Sequence, residues 1–174
     1  MRFIGFAAAA AAALGAFVPA AQAQHADHTD HADHSAHGTQ TAAPDALTQQ
    51  AEAVLVAYRN ALVARDEAAM HRLFAADSLV FENGKDEGTF AQYMEHHLGP
   101  ELGEITEFTF TNPTVNVRMV GHVAFGHETY RYRIALTDGR VIERDGVATS
   151  VLTHEDGAWK ILQYHSSSRA PRPN

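Results

Sequence analysis

Helix-type spacing of apolar residues ends just short of residue 100 and strand-type runs fill the rest of the chain, which limits the fold to helices packed on an antiparallel sheet. Leu47, Val54, Leu55, Tyr58, Leu62 and Val63 recur at helical spacing and predict an amphipathic helix over 46–64. Asp66 can cap a shorter helix carrying Met70, Leu73 and Phe74, and 78–81 reads as a short strand entering an Asn83-Gly84 turn. Over 89–98, Phe90, Tyr93, Met94, His97 and Leu98 form one buried stripe, which turns His96 away. Beyond it, 104–111, 114–120, 122–136, 140–154 and 158–167 are rich in Val, Ile, Thr, Phe and Tyr, with hairpin turns at Asp138-Gly139 and Asp156-Gly157. The fold class is α+β, with three N-terminal helices on one face of a strongly curved antiparallel sheet.

What precedes these elements concerns compartment and charge. Arg2 gives a positive start, 3–18 is an Ala-rich apolar run, and Ala21-Gln22-Ala23 ends in a small-x-small site, so a cleavable signal peptide over 1–23 is expected. The run falls short of the roughly 20 strongly apolar residues of a membrane span, so the mature protein is expected in the periplasm or secreted, with no membrane association. Cleavage removes one cation, Arg2, and moves the formal net charge from −8 to −9. An acidic chain lacks the Lys and Arg that phosphates require, which argues against nucleic acid as a partner. Tyr130-Arg131-Tyr132-Arg133 interleaves aromatic and basic residues, but its arginines are expected to pair with acids such as Glu143 and Asp145. Cysteine is absent, so no disulfide forms and any metal site must draw on His, Asp, Glu or Met. A domain over 46–169 is long enough for one hydrophobic core, leaving 170–174 as a C-terminal tail.

Between leader and domain, 24–45 contains no aromatic or branched aliphatic residue, the composition of a disordered tail. Within it His25, His28, His31, His34 and His37 recur every third residue, with Asp27, Asp30 and Asp33 between them. Neutral imidazole is the commonest protein ligand for borderline transition metals, and a neighbouring carboxylate can add a bond or hold the tautomer. In an extended polyproline-like backbone the rings would share one side but stand about 9 Å apart, too far to share an ion, so capture of Cu or Zn needs the tail to bend. A solvated leader that binds metal only adventitiously is the competing reading.

Several stretches resemble the SnoaL-like proteins of the nuclear transport factor 2-like superfamily. The closing run Gly157-Ala-Trp159-Lys-Ile161-Leu-Gln-Tyr-His165-Ser-Ser-Ser-Arg169 carries the resemblance, together with 58–62, 66–74, 80–87 and 93–98. Their combination is similar to an exported subgroup. The resemblance implies a cone: a bent sheet around a pocket, helices closing the back, and two copies commonly pairing through their sheets. Its members include isomerases, cyclases, dehydratases and binding modules, so it implies a small-molecule ligand and a homodimer without choosing a reaction. Ketosteroid-isomerase-like members use a pocket Asp as base with an acidic hydrogen-bond donor opposite, an arrangement no residue here matches.

Four residues are candidates for the pocket. Glu82 follows an apolar strand, His97 lies on the helix stripe, and His165 ends the last strand. His127 shares the phase of Phe125 and is expected inside if Phe125 is. Convergence of Glu82, His97, His127 and His165 would suit Zn or Cu. The same groups could instead perform acid–base catalysis, with Glu82, His97 and His165 as the candidate catalytic residues and burial raising the Glu82 pKa. A third reading makes them a structural network around a non-catalytic pocket. No organic cofactor is evident, and His71, His122 and His154 are expected at the surface.

Overall fold

A computed structural model describes residues 45–172. The expected signal peptide and the five-histidine segment lie outside the described residues. Helix α1, Ala46–Ala64, starts where Asp45 accepts the Thr48 N–H at 2.8 Å and ends where Arg65 turns into the left-handed region. Its buried stripe is Ala51, Leu55, Tyr58, Ala61 and Leu62, whereas Leu47 and Val63, expected on that stripe, are exposed. Asp66 caps α2, Glu67–Leu73, through the Ala69 N–H, and Phe74 already begins strand β1, Phe74–Glu82. A hairpin with positive φ at Asn83 and Gly84 leads to β2, Lys85–Gly88. Thr89 and Gln92 form a capping box for α3, Phe90–Tyr93. A π-helical turn over Met94–Leu98 and α4, Gly99–Glu104, continue this third helical segment. Among the described residues, no helix is long and apolar enough to cross a membrane.

The remaining strands are β3 (Ile105–Val120), β4 (Val123–Leu136), β5 (Val141–Glu155) and β6 (Ala158–Arg169). They meander back across the sheet, whose order is β2-β1-β6-β5-β4-β3. Neighbours are antiparallel except β1 and β6, which run parallel because the helical connection carries the chain from β1 to the far edge before the meander returns. The separate strands expected over 104–111 and 114–120 are one strand with a register shift between Thr111 and Thr114, where Asn112 has φ 49°. Such irregularities bend a strand, and further shifts at Val80/Phe81 and Val151/Leu152 add to the curvature.

Helices pack on one face of the sheet. On β4 that face carries Ala124, Gly126, Glu128, Tyr130, Tyr132 and Ile134. A Cβ at Gly126 would run into Leu55 Cδ1, so glycine is what lets α1 settle against β4. Phe74 and Phe90 stack at 3.8 Å, and Tyr58 meets both edge-on as well as Tyr164, tying α1, β1, α3 and β6 together. Each such pair contributes about 0.5–1.5 kcal/mol beyond its buried area.

Candidate functional site

The inner face and the π-helical turn bring a group of charged side chains together at the end of β1. Pro100 has no N–H for a regular helical bond to the His96 carbonyl, and its ring would crowd that carbonyl. The chain widens instead, with the Gly99 N–H bonding to the Met94 carbonyl. Both histidines of the turn consequently reach Glu87, whose side chain is fully buried. His96 Nε2 lies 2.8 Å from Glu87 Oε2, which also accepts from Lys85 Nζ at 2.8 Å, and His97 Nδ1 lies 3.0 Å from Oε1. The expectation that His96 points away is thus corrected, because it presumed regular helical spacing.

His97 has a carboxylate at each ring nitrogen, Glu87 at Nδ1 and Glu101 at Nε2, 3.3 Å away. Satisfying both requires two N–H groups, the imidazolium. The Glu101 hydrogen bond raises its pKa, burial opposes, and the charges of Glu101 and Glu82 with the Glu87 bond carry it to about 9. For Glu87, burial pushes the carboxyl up, but the hydrogen bonds from Lys85, His96 and His97 outweigh it and hold the group at about 2.

Glu82 stands beside this cation, its Oε2 4.0 Å from His97 Nδ1, and accepts a 2.6 Å hydrogen bond from the Tyr93 hydroxyl. Burial raises its pKa above 4.5; the Tyr93 bond and the His97 charge oppose that rise, and the Glu101 and Glu87 charges add to it. Its side chain nevertheless keeps 23% exposure, so it is reachable. Facing it across the same sheet surface are half-buried aromatic rings of β3 and β4: Phe108, Phe110, Tyr130 and Tyr132. Tyr130 lies over Gly146, where a Cβ would collide with its ring. Deeper in, Glu128 is 4% exposed and accepts from Arg59 at 3.2 Å; burial lifts its carboxyl to about 7 against the pull of that guanidinium.

The four residues expected to converge divide between the two faces. Glu82 and His97 share the inner cluster, whereas His127 and His165 are exposed on the opposite face. The alternation itself is as expected, but its phase is reversed: Ala124, Gly126 and Glu128 face in, and Phe125, 36% exposed, faces out with His127. His127 lines an open cavity of about 340 Å³ on that outer surface with Arg118, Phe125, Thr149, Val151 and Gln163. Arg118 sits 5.5 Å over the Phe125 ring, which explains how Phe125 tolerates exposure. On β6 it is Tyr164 that faces in, and His165 meets Phe81 edge-on at 6.3 Å. Among the described residues, no group of three or more His, Cys, Asp or Glu is arranged to hold a metal ion. The His97 nitrogens, each turned to a carboxylate, fit an ion-pair network better than a ligand set.

Three parts of the cluster escaped the sequence reading. Glu101 is visible as the i+4 partner of His97, Glu87 only once the π-helical turn is known, and Glu128 only when β4 is read in the phase of Ala124 and Gly126. Arg131 pairs with Asp145 as expected, but Arg133 takes Glu107 of β3 rather than Glu143.

The model of the SnoaL-like domain family matches residues 51–171. Among curated proteins, none matches this chain. Solved structures do. A candidate ketosteroid isomerase from Shewanella frigidimarina is 26% identical with a TM-score of 0.61, over 69% of this chain and 97% of its own. A candidate dehydratase from Streptomyces avermitilis, of the same NTF2-like fold, is 17% identical with a TM-score of 0.64, over 74% of this chain and all of its own. A nuclear transport factor 2-like superfamily protein from Salmonella enterica is 16% identical with a TM-score of 0.65, over 73% of this chain and 94% of its own. The mixed six-stranded sheet under three helical segments and the family match over most of the chain lead to one conclusion: this protein belongs to the SnoaL-like domain family and has the nuclear transport factor 2-like fold.

Proposed function

We propose that this protein is a small-molecule enzyme of the isomerase or dehydratase type, with Glu82 as its base. The observation that carries this reading is the reachable Glu82 side chain, bonded by Tyr93 and standing 4.0 Å from the His97 ring. A carboxyl raised by burial is a better match for a general base near neutral pH than an ordinary one. Glu82 takes a proton from carbon beside a carbonyl, and the electron pair moves onto the carbonyl oxygen. In a β,γ-unsaturated ketone, return of the proton to the γ-carbon completes an isomerisation; in a β-hydroxy ketone, the hydroxyl takes that proton from Glu82 and leaves as water, completing a dehydration. His97, locked by Glu87 and Glu101, keeps a positive charge beside the base while Tyr93 fixes its orientation. The names of the Shewanella and Streptomyces structures support this class. Incubating a panel of aryl ketones and β-hydroxy ketones in D₂O tests it by NMR: catalysed α-exchange or elimination is expected, lowered about 10²-fold or more in Glu82→Gln. No catalysis above background, or activity that survives Glu82→Gln, contradicts it.

A second activity rests on the spacing of His25, His28, His31, His34 and His37. After export to the periplasm or medium, this tail binds Cu or Zn for capture or delivery. Calorimetric titration of the mature protein, with and without residues 24–43, tests it: the deletion is expected to remove most of the bound metal. The exposed apolar side chains Leu79, Phe125 and Val147 suit the outer sheet face to pairing two copies, so we propose a homodimer, to be checked by analytical ultracentrifugation.

A further inference from the structure

On the inner face, Phe110 of β3, Tyr132 of β4 and Arg144 of β5 stand in one register row. Arg144 lies one residue beyond the last pairing of β5 with β6, between Asp145 and Arg169, so it marks the open end of the sheet surface. Arg59, Arg131, Arg133 and Arg140 are each held by a carboxylate. Half-buried Arg144 instead uses Nη1 on the neighbouring Glu143 carbonyl at 3.0 Å, and among the described residues it has no acidic partner. A guanidinium with most of its five N–H donors uncommitted is a ready binder of a planar anion.

The rings beside it are fixed in place. Phe108 and Phe110 stack at 4.9 Å, Tyr132 meets Phe108 at 5.9 Å, and the Tyr132 hydroxyl shares a 3.2 Å hydrogen bond with Ser168. Burial raises the Tyr132 phenol, the Ser168 hydrogen bond opposes that rise, and the Glu82 and Glu101 charges add to it while Arg144 lowers it. Tyr132 stands between Phe110 and Arg144 in that row, on the same sheet face as Glu82.

We propose that this surface binds a carboxylate attached to a planar ring system, the carboxylate on the Arg144 guanidinium and the ring on Phe110 and Tyr132. The assignment rests on the reading of Glu82 as the base and adds the substrate class. It also fixes orientation. His97 and Lys85 are already paired with Glu87 and Glu101, whereas Arg144 has no acidic partner among the described residues, so the carboxylate is drawn to the Arg144 end and the uncharged reactive carbon is left toward Glu82.

Fluorescence titration with 2-naphthylacetate and its uncharged counterpart 2-naphthylacetamide tests this on the whole mature protein. The acid is expected to bind about tenfold tighter than the amide, a charge-assisted bond's worth. Arg144→Gln should abolish that preference while leaving amide binding unchanged, and Arg144→Lys should keep part of it. Phe110→Ala should weaken both probes alike, with thermal unfolding confirming that it folds. Equal binding of acid and amide, or a preference that survives Arg144→Gln, overturns the anion assignment and leaves the Glu82 chemistry standing. Failure of both probes to bind overturns the ring surface itself, and the D₂O exchange assay then decides separately whether Glu82 acts as a base.

Discussion

Replacing Glu87 with Gln preserves the shape of a buried side chain and removes the charge that three N–H groups converge on. Holding this carboxyl at about 2 rather than its ordinary 4.5 corresponds to about 3 kcal/mol of folding free energy. Lys85 and His96 are exposed at 62% and 44%, so water screens their share and about 1.5 kcal/mol is the expected loss. The sign follows from a folded-state pKa below the unfolded one: the contribution is complete above pH 4.5 and disappears as pH falls through about 2. Urea unfolding of both proteins between pH 2 and 7 should show a gap of that size at pH 6 that closes toward pH 2 at equal slope. The His97 titration should fall from about 9 but stay above 6.5, because Glu101 remains. A gap below about 0.5 kcal/mol at pH 6, or one of constant size down to pH 2, would refute the clamp.

Gly126→Ala places a methyl against the fully buried Leu55 and should lower stability by about 1–3 kcal/mol in thermal or urea unfolding. Tyr93→Phe removes the hydrogen bond that opposes the burial of Glu82, so the Glu82 carboxyl should titrate still further above 4.5 by ¹³C NMR, with about 1 kcal/mol lost from stability. His127→Ala and His165→Ala, on the opposite face, should leave the Glu82 and His97 titrations unchanged.

The first two helices and the last three strands could be read from the sequence because a partly buried sheet imposes a period of two and a packed helix one near 3.6, whereas the short edge strand β2 carries no such signal and β3 reads as two strands. Asp45, Asp66 and Thr89 sit where a helix start needs an acceptor, and each is found capping one. Side-chain phase on β4 was harder. Phe125 is the most apolar residue of its stretch, yet it faces out because Arg118 covers it and because α1 requires the bare backbone of Gly126 beneath Leu55. Burying Glu128 also runs against its polarity and becomes tolerable only through Arg59, 69 residues away in the chain. The Glu87 clamp depends on one irregular helical turn, and Pro100 announces an irregularity without saying which side chains it will unite.

The central claim is that an imidazolium and a raised carboxyl stand together at the end of β1. An NMR pH titration of the His97 ring, assigned by its loss in His97→Gln and repeated in Glu101→Gln, tests this most directly. A midpoint near 9 that drops when Glu101 is neutralised is the expected result. A midpoint at the ordinary 6.5, unmoved by Glu101→Gln, would contradict the cluster and the chemistry proposed for it.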